Sequence, residues 1–231
     1  MNKIAKGAVG LYFYFLYKCA GGENRPVFYD IDKIAPALRD LEKNSAAIKR
    51  EVEQLLERKG SLPSYHDLDP RQHGISAGGN KKWKVFLLYA MGAKPKANRD
   101  LCPQTSALLD KVPHLFEAFF SILEAGKSVP AHHNSYCGML RYHLALIVPS
   151  ENPPRIRIKD RLYTWKEGEG VLFDDCWEHE VFNESNEDRV VLLVDVLRPL
   201  PLPAHMLNLL FVKGMRIGYA SGLLKNLEKF H

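Results

Sequence analysis

The chain has 231 residues, 46% of them apolar, and its 32 basic and 27 acidic side chains leave a net charge of +5. That supplies enough apolar material for one sizeable globular domain and excludes a disordered or low-complexity chain. Mild basicity without a Lys/Arg tract argues against a nucleic-acid partner. Cys19, Cys102, Cys137 and Cys176 form no C-x-x-C pair, so free thiols are expected rather than a structural zinc site.

Residues 1–22 carry Lys3 and Lys6 and then an uncharged run from Gly7 to Tyr17. That run is far shorter than the roughly 20 residues that span a bilayer. Lys18, Cys19, Gly21 and Gly22 make a poor signal-cleavage region. Packing on the domain, or interfacial contact with a membrane, is expected instead. Asp30 to Lys59 predicts a helix, capped by Asp30 or Asp32 and stopped by Gly60. Leu38, Leu41, Ile48, Val52 and Leu55 lie on its apolar stripe. Ser61 to Lys82 reads as a polar loop, with His66 and His73 exposed or part of a lid. Trp83 to Met91 reads as a strand, Lys94 to Leu101 as polar linkage, and Cys102 to Val112 as a second helix. Glu117 to Leu123 opens a run of β-type segments.

The segment Met139 to Val148 alternates, placing Leu140, Tyr142, Leu144 and Leu146 on one face and Arg141, His143 and Ala145 on the other. Val171 to Phe182 predicts a strand with Val171, Phe173, Asp175, Trp177 and His179 sharing a face. Asn183 to Asp188 is a polar turn, and Arg189 to Leu197 is the next strand. Strands of this length suggest a β-sandwich or barrel. Imidazoles and guanidiniums inside such a barrel need an anion or a metal to neutralise them. A divalent metal with a dicarboxylate is the simplest filler, since imidazole suits Fe, Zn, Cu and Ni and arginine takes a carboxylate bidentately. On spacing alone, the same residues serve equally as core histidines, with Arg141 paired to Asp174 or Asp175.

After Pro199, Ala204 to Phe230 reads as a helical tail with Leu207, Leu210, Phe211 and Met215 apolar and Lys213, Arg216, Lys225 and Lys229 basic. Such a tail lies on an anionic membrane, packs on the barrel or forms a dimer contact. The expected organisation is an apolar N-terminal segment (1–22), a domain at 23–203 with its β core at about 83–199, and an amphipathic tail (204–231).

L-R-Y-H-L-A-L-I-V-P, F-D-D-C-W-E-H-E-V-F-N and D-R-V-V-L-L-V-D-V-L-R-P resemble the aspartyl/asparaginyl β-hydroxylase family of Fe(II)/2-oxoglutarate-dependent oxygenases. The resemblance covers roughly Trp83 to Pro199, about half the chain. It implies a mainly β fold with flanking helices, a double-stranded β-helix or jelly roll of the cupin type. It also implies Fe(II), 2-oxoglutarate and O2 as cofactor and co-substrates. His132, with His133 as its neighbouring alternative, and His179 match the iron ligands. Arg141 and His143 match the positions holding the 2-oxoglutarate carboxylate beside the metal, and Arg189 and Ser121 those clamping the distal carboxylate.

Asn134 departs from the Asp ligand found in most such oxygenases, which leaves it as a weak third ligand or leaves water in that position. The missing carboxylate and E-H-E-V lean toward an Asp/Asn side chain in a peptide or protein as acceptor. L-R-Y-H-L and L-C-P-Q-T lean toward the bacterial lipid A hydroxylases, which act on an acyl chain. The family reading implies a cytoplasmic protein, peripheral at the inner face of the membrane where residues 7–17 and 204–230 touch it. A non-enzymatic jelly-roll binding protein that has lost iron is the reading from a different class.

Overall fold

The computed structural model describes residues 7–58 and 62–230. Lys3, Lys6, Lys59, Gly60 and Ser61, to which the sequence assigns roles or boundaries, lie outside them. The helices are α1 (Ala8–Cys19), α2 (Ile31–Ile34), α3 (Arg39–Lys43), α4 (Ser45–Arg58), α5 (Tyr65–Leu68), α6 (His73–Ser76), α7 (Lys96–Leu101), α8 (Pro103–Leu109), α9 (Leu202–Met215) and α10 (Ser221–Leu227). The strands are β1 (Phe28–Tyr29), β2 (Trp83–Ala90), β3 (Leu115–Leu123), β4 (Val129–His132) and β5 (Met139–Ile147). They continue with β6 (Arg155–Ile158), β7 (Arg161–Thr164), β8 (Gly170–Phe173), β9 (His179–Phe182) and β10 (Arg189–Leu197).

Two antiparallel sheets face each other. One has the order β1-β8-β5-β10-β3-β2 and the other β4-β9-β6-β7. From β3 to β10 the chain crosses repeatedly between the sheets, which is the winding of a double-stranded β-helix. Alternation decides which side chains line the interior. On β5, Leu140, Tyr142, Leu144 and Leu146 pack outward against α3, α4 and α8 through Leu41, Ile48, Val52 and Leu109. Arg141, His143 and Ala145 turn inward, toward Phe119, Trp165, Val181 and Leu193.

Four stretches differ from the sequence reading. The helix expected over Asp30–Lys59 is broken into α2, α3 and α4. Asp30 does cap α2, accepting from the N–H of Asp32 and Lys33, but Pro36 pushes Ala35 out of helical conformation. The strand expected over Val171–Phe182 stops at Phe173. There the Asp174 carboxylate accepts from the Cys176 N–H at 3.0 Å and folds the chain into a turn before β9. The linkage expected over Lys94–Leu101 holds α7, fixed because buried Asn98 donates to the Leu87 carbonyl at 2.9 Å. The loop expected before β2 holds α5 and α6, the former closed by a Ser64–Asp67 capping box.

Both terminal segments join the barrel. Leu16 of α1 and Leu223 and Leu227 of α10 belong to the interior cluster. Asn208 of α9 ties them together. It is fully buried, donates to the Gly138 carbonyl at 2.8 Å, and accepts from the Tyr136 and Tyr12 hydroxyls. Gly138 is required there, because a Cβ would stand 2.5 Å from both the Asn208 amide oxygen and the Tyr136 ring.

Candidate active site

His132 ends β4 and His179 begins β9, and the two are register partners. Their rings stand 4.2 Å apart between centroids. Each Nδ1 makes a hydrogen bond to the backbone carbonyl two residues earlier. His132 reaches Pro130 at 2.8 Å and His179 reaches Trp177 at 2.9 Å. This makes Nδ1 the protonated nitrogen and leaves Nε2 of each ring as a free lone pair. Burial pushes the His179 imidazole down to about 3 and lowers that of His132. Two neutral, neighbouring imidazoles with fixed tautomers suit a divalent metal, which needs its nitrogen ligands deprotonated.

The pair opens on a cavity of about 520 Å³. Trp83, Asn134, Arg141 and Asp175 line its inner wall, and Phe13, Phe116, Tyr136, Met139 and Met215 give it an apolar side. The Asn134 amide is engaged at both ends. Its oxygen accepts from the Tyr136 N–H at 3.0 Å, and its nitrogen donates to Asp175 at 3.2 Å. Asn134 therefore positions Asp175, and in this arrangement its amide oxygen is turned to the backbone.

Arg141 is not an open fork. Its Nε and Nη2 bind both oxygens of Asp195 at 2.9 and 2.8 Å, and Nη2 lies 3.4 Å from Asp175. Burial opposes its charge, but the two carboxylates outweigh burial and hold the guanidinium ionised. The sequence reading offered Asp174 or Asp175 as its partner. Asp174 instead binds Arg25 and Arg198, each at 2.8 Å. Asp174, Asp175 and Cys176 cluster closely enough to suggest a cation site, yet three arginines already claim the two carboxylates.

Behind Trp83 lies a buried polar cluster. The Trp83 indole donates to the Ser121 hydroxyl at 2.9 Å. Arg189 contacts the Ser121 carbonyl at 3.4 Å and stacks its guanidinium 4.6 Å above the Trp165 ring. His143 stacks on the same indole at 5.8 Å. Among the described residues, Arg189 Nε, Trp165 Nε1 and both ring nitrogens of His143 are buried without a hydrogen-bond partner. Among the described residues no carboxylate pairs with Arg189, and burial alone pushes it down to about 9. His143 is held well below its ordinary value by burial and then by Arg189. Phe173 stands 5.0 Å from His143 and 6.3 Å from His179, so this cluster adjoins the imidazole pair. An unmatched buried cation among unmet polar atoms fits the carboxylate of a ligand.

The structure thus brings His132, His179, Asn134 and Arg141 to the cavity wall and sets Ser121, His143 and Arg189 behind it. Sequence reasoning did not single out Trp83, Trp165, Glu117 or Asp195. The last two were visible as lone acids within apolar strands. Trp165 sits between β7 and β8, in a stretch with no local signal.

The family model described as aspartyl/asparaginyl beta-hydroxylase matches residues 42–199. An ornithine lipid ester-linked acyl 2-hydroxylase of Rhizobium tropici is 41% identical over 184 residues, 79% of this chain and 64% of that protein. An aspartyl/asparaginyl beta-hydroxylase of Mus musculus is 30% identical over 180 residues, 74% of this chain and 23% of that protein. The chain therefore spans just under two thirds of the first relative and about a quarter of the second. Among solved structures, the cupin domain of Schizosaccharomyces pombe Cnp3 aligns at TM-score 0.34 and 10% identity, over 52% of this chain and 70% of that one. A cupin domain from Bordetella pertussis aligns at TM-score 0.29 and 13% identity, over 35% and 79%. The chain belongs to the aspartyl/asparaginyl β-hydroxylase family.

Proposed function

We propose that this protein is an Fe(II)- and 2-oxoglutarate-dependent hydroxylase that acts on the acyl chain of a membrane lipid. The observation that carries the cofactor assignment is the unpaired Arg189 with its orphaned neighbours, set beside two neutral imidazoles. His132 and His179 would hold the iron through Nε2. Arg189 would hold the distal carboxylate of 2-oxoglutarate, with Ser121 and His143 beside it. Iron and 2-oxoglutarate supply the oxidising power for inserting oxygen from O2 into an unactivated C–H bond. Asp175, steadied by Asn134 and Arg141, offers the cavity a fixed hydrogen-bond acceptor. The apolar wall from Phe13 to Met215 excludes water and lays an acyl chain along the imidazole pair.

The sequence alone leans to an Asp/Asn side chain as acceptor, while the surface supports the lipid alternative. Exposed apolar residues on α1 (Val9, Leu11, Phe15) and α9 (Met206, Leu207, Leu210), with Ile217 after them, stand on the same two segments that line the cavity through Phe13 and Met215. Leu11, Leu210 and Ile217 are 72, 64 and 80% exposed. The helices pack together through Tyr12, Phe13 and Phe211. Neither Ala8–Cys19 nor Leu202–Leu227 contains an acid, while Lys18, Lys213, Arg216 and Lys225 are basic. An apolar face with one sign of charge suits an anionic bilayer surface. Among the described residues no helix is long and apolar enough to cross a membrane. The lipid hydroxylase of R. tropici, at 41% identity, supports the same substrate class.

Incubated with Fe(II), 2-oxoglutarate and ornithine lipid, the protein is expected to release succinate and yield a lipid one oxygen atom heavier by mass spectrometry. His179→Ala should lose both products. Oxidation of an Asp/Asn peptide with the lipid untouched would restore the peptide reading. Absence of both turnover and Fe(II) binding would leave a binding protein.

On flotation, wild type should rise with vesicles containing phosphatidylglycerol and not with pure phosphatidylcholine. Leu11→Glu/Leu210→Glu should stay at the bottom. Equal behaviour of the two proteins, or a concentration-dependent dimer by light scattering, would reassign the apolar face.

A further inference from the structure

The inner face of the larger sheet carries one row of charge across three strands. Cross-strand register pairs Glu117 of β3 with Asp195 of β10, and Asp195 with Arg141 of β5. Arg141 spends its fork on Asp195 and its remaining reach on Asp175. Glu117 is left over. It is 5% exposed, faces the cavity, and has neither a hydrogen bond nor an ion pair among the described residues. The other cation near Glu117, Arg71, is bound on both edges of its fork to Asp69 at 2.9 and 3.0 Å. The Tyr219 hydroxyl also donates to Asp69, at 3.0 Å. Around Glu117 the charged groups therefore include more acid than base.

A largely buried carboxyl beside another acid resists ionisation. Burial first, then the charge of Asp195, raises Glu117 to about 8, with Arg141 opposing. A native strand interior keeps such a residue at a cost that an apolar one would not incur. What would offset the cost is a cation delivered into the cavity by a ligand.

We propose that Glu117 is a specificity residue of this cavity, holding a primary ammonium group carried by the substrate. This rests on the reading of the cavity as the substrate site, and it narrows the substrate to an amine-bearing amphiphile. When the ammonium enters, Glu117 loses its proton to solvent and becomes the carboxylate partner. The groups facing it are Asp195, Arg141, Asp69, Arg71, Tyr65 and Tyr219.

Isothermal calorimetry with octylamine and octanol tests this without iron, 2-oxoglutarate or turnover, so failure of the cofactor assignment leaves the result readable. At pH 7, wild type should bind octylamine about tenfold or more tighter than octanol. Titrations in phosphate and in Tris should differ by the ionisation heat of nearly one proton released per amine bound. Glu117→Gln should bind the two probes alike and release no proton, and Glu117→Asp should retain part of the preference. A purely structural Glu117 would change stability and leave the preference and the proton release intact. Equal binding of the probes by wild type, or a preference that survives in Glu117→Gln, overturns the proposal.

Discussion

Arg189→Met should raise the KM for 2-oxoglutarate by on the order of 100-fold, read as succinate formed at saturating Fe(II). A fork-shaped, charge-assisted contact contributes about 3 kcal/mol, and each 1.4 kcal/mol is tenfold. The expected result has a second half that a merely structural arginine would not give. Among the described residues this guanidinium is buried without a carboxylate, with its Nε unsatisfied. Its removal deletes an unpaired charge rather than half of a pair. The variant should therefore melt at or above the wild-type temperature when no ligand is present. Adding 2-oxoglutarate should then raise the melting temperature of wild type by mass action and leave that of Arg189→Met in place. Arg189→Lys should fall between the two, since it keeps the charge and loses the planar fork. A variant with unchanged KM, or one destabilised like a truncated core residue, would show that Arg189 serves packing against Trp165 instead.

The parts of this site legible in the sequence are those that alternation controls. The apolar run of Arg189–Leu197 fixed both ends of β10. The period of two in Met139–Ile147 put Arg141 and His143 on the interior face while Leu140 and Tyr142 went outward. His132 and His179, singled out by the family resemblance rather than by alternation, face each other because β4 and β9 meet in register. Lost was whatever depends on which strands become neighbours. Asp195 was visible as an acid within V-V-L-L-V-D-V-L, but its claim on Arg141 arises only from the β10–β5 register. Glu117 is stranded for the same reason, on the far side of Asp195. Short-range polar chemistry also escaped periodicity. Asp174 folds its own backbone into a turn and splits a predicted strand in two. Asn134 spends its amide on Tyr136 and Asp175, a use invisible to a comparison with aspartate ligands.

Asp174 also sets the largest expected stability effect. It is fully buried and binds Arg25 Nε and Arg198 Nη2, each at 2.8 Å. Burial works against the charge of Arg198, and Asp174 outweighs it. Arg25 in turn donates to the Gly22 carbonyl at 2.6 Å and lies 3.9 Å above the Trp177 ring. Arg198 donates to the Cys137 carbonyl at 2.8 Å and to the Tyr29 hydroxyl at 2.6 Å. One carboxylate thus joins the segment after α1, the end of β10 and the turn that presents Asp175 and His179. Asp174→Ala leaves two guanidiniums buried and unpaired, which costs about 3–5 kcal/mol. In urea the midpoint should fall with little change in slope, since the surface exposed on unfolding stays similar. The turn from Asp174 to Glu178 should loosen before the barrel does, so Fe(II) affinity should drop even at urea concentrations where the fold persists. Asp174→Asn keeps the turn-forming oxygen for the Cys176 N–H but not the charge. It should recover part of the metal affinity and little of the stability. If Asp174→Ala instead lowers the urea midpoint only slightly and leaves Fe(II) binding unchanged, the two arginines have found solvent, and the turn is held by Trp177 and the β9 pairing alone.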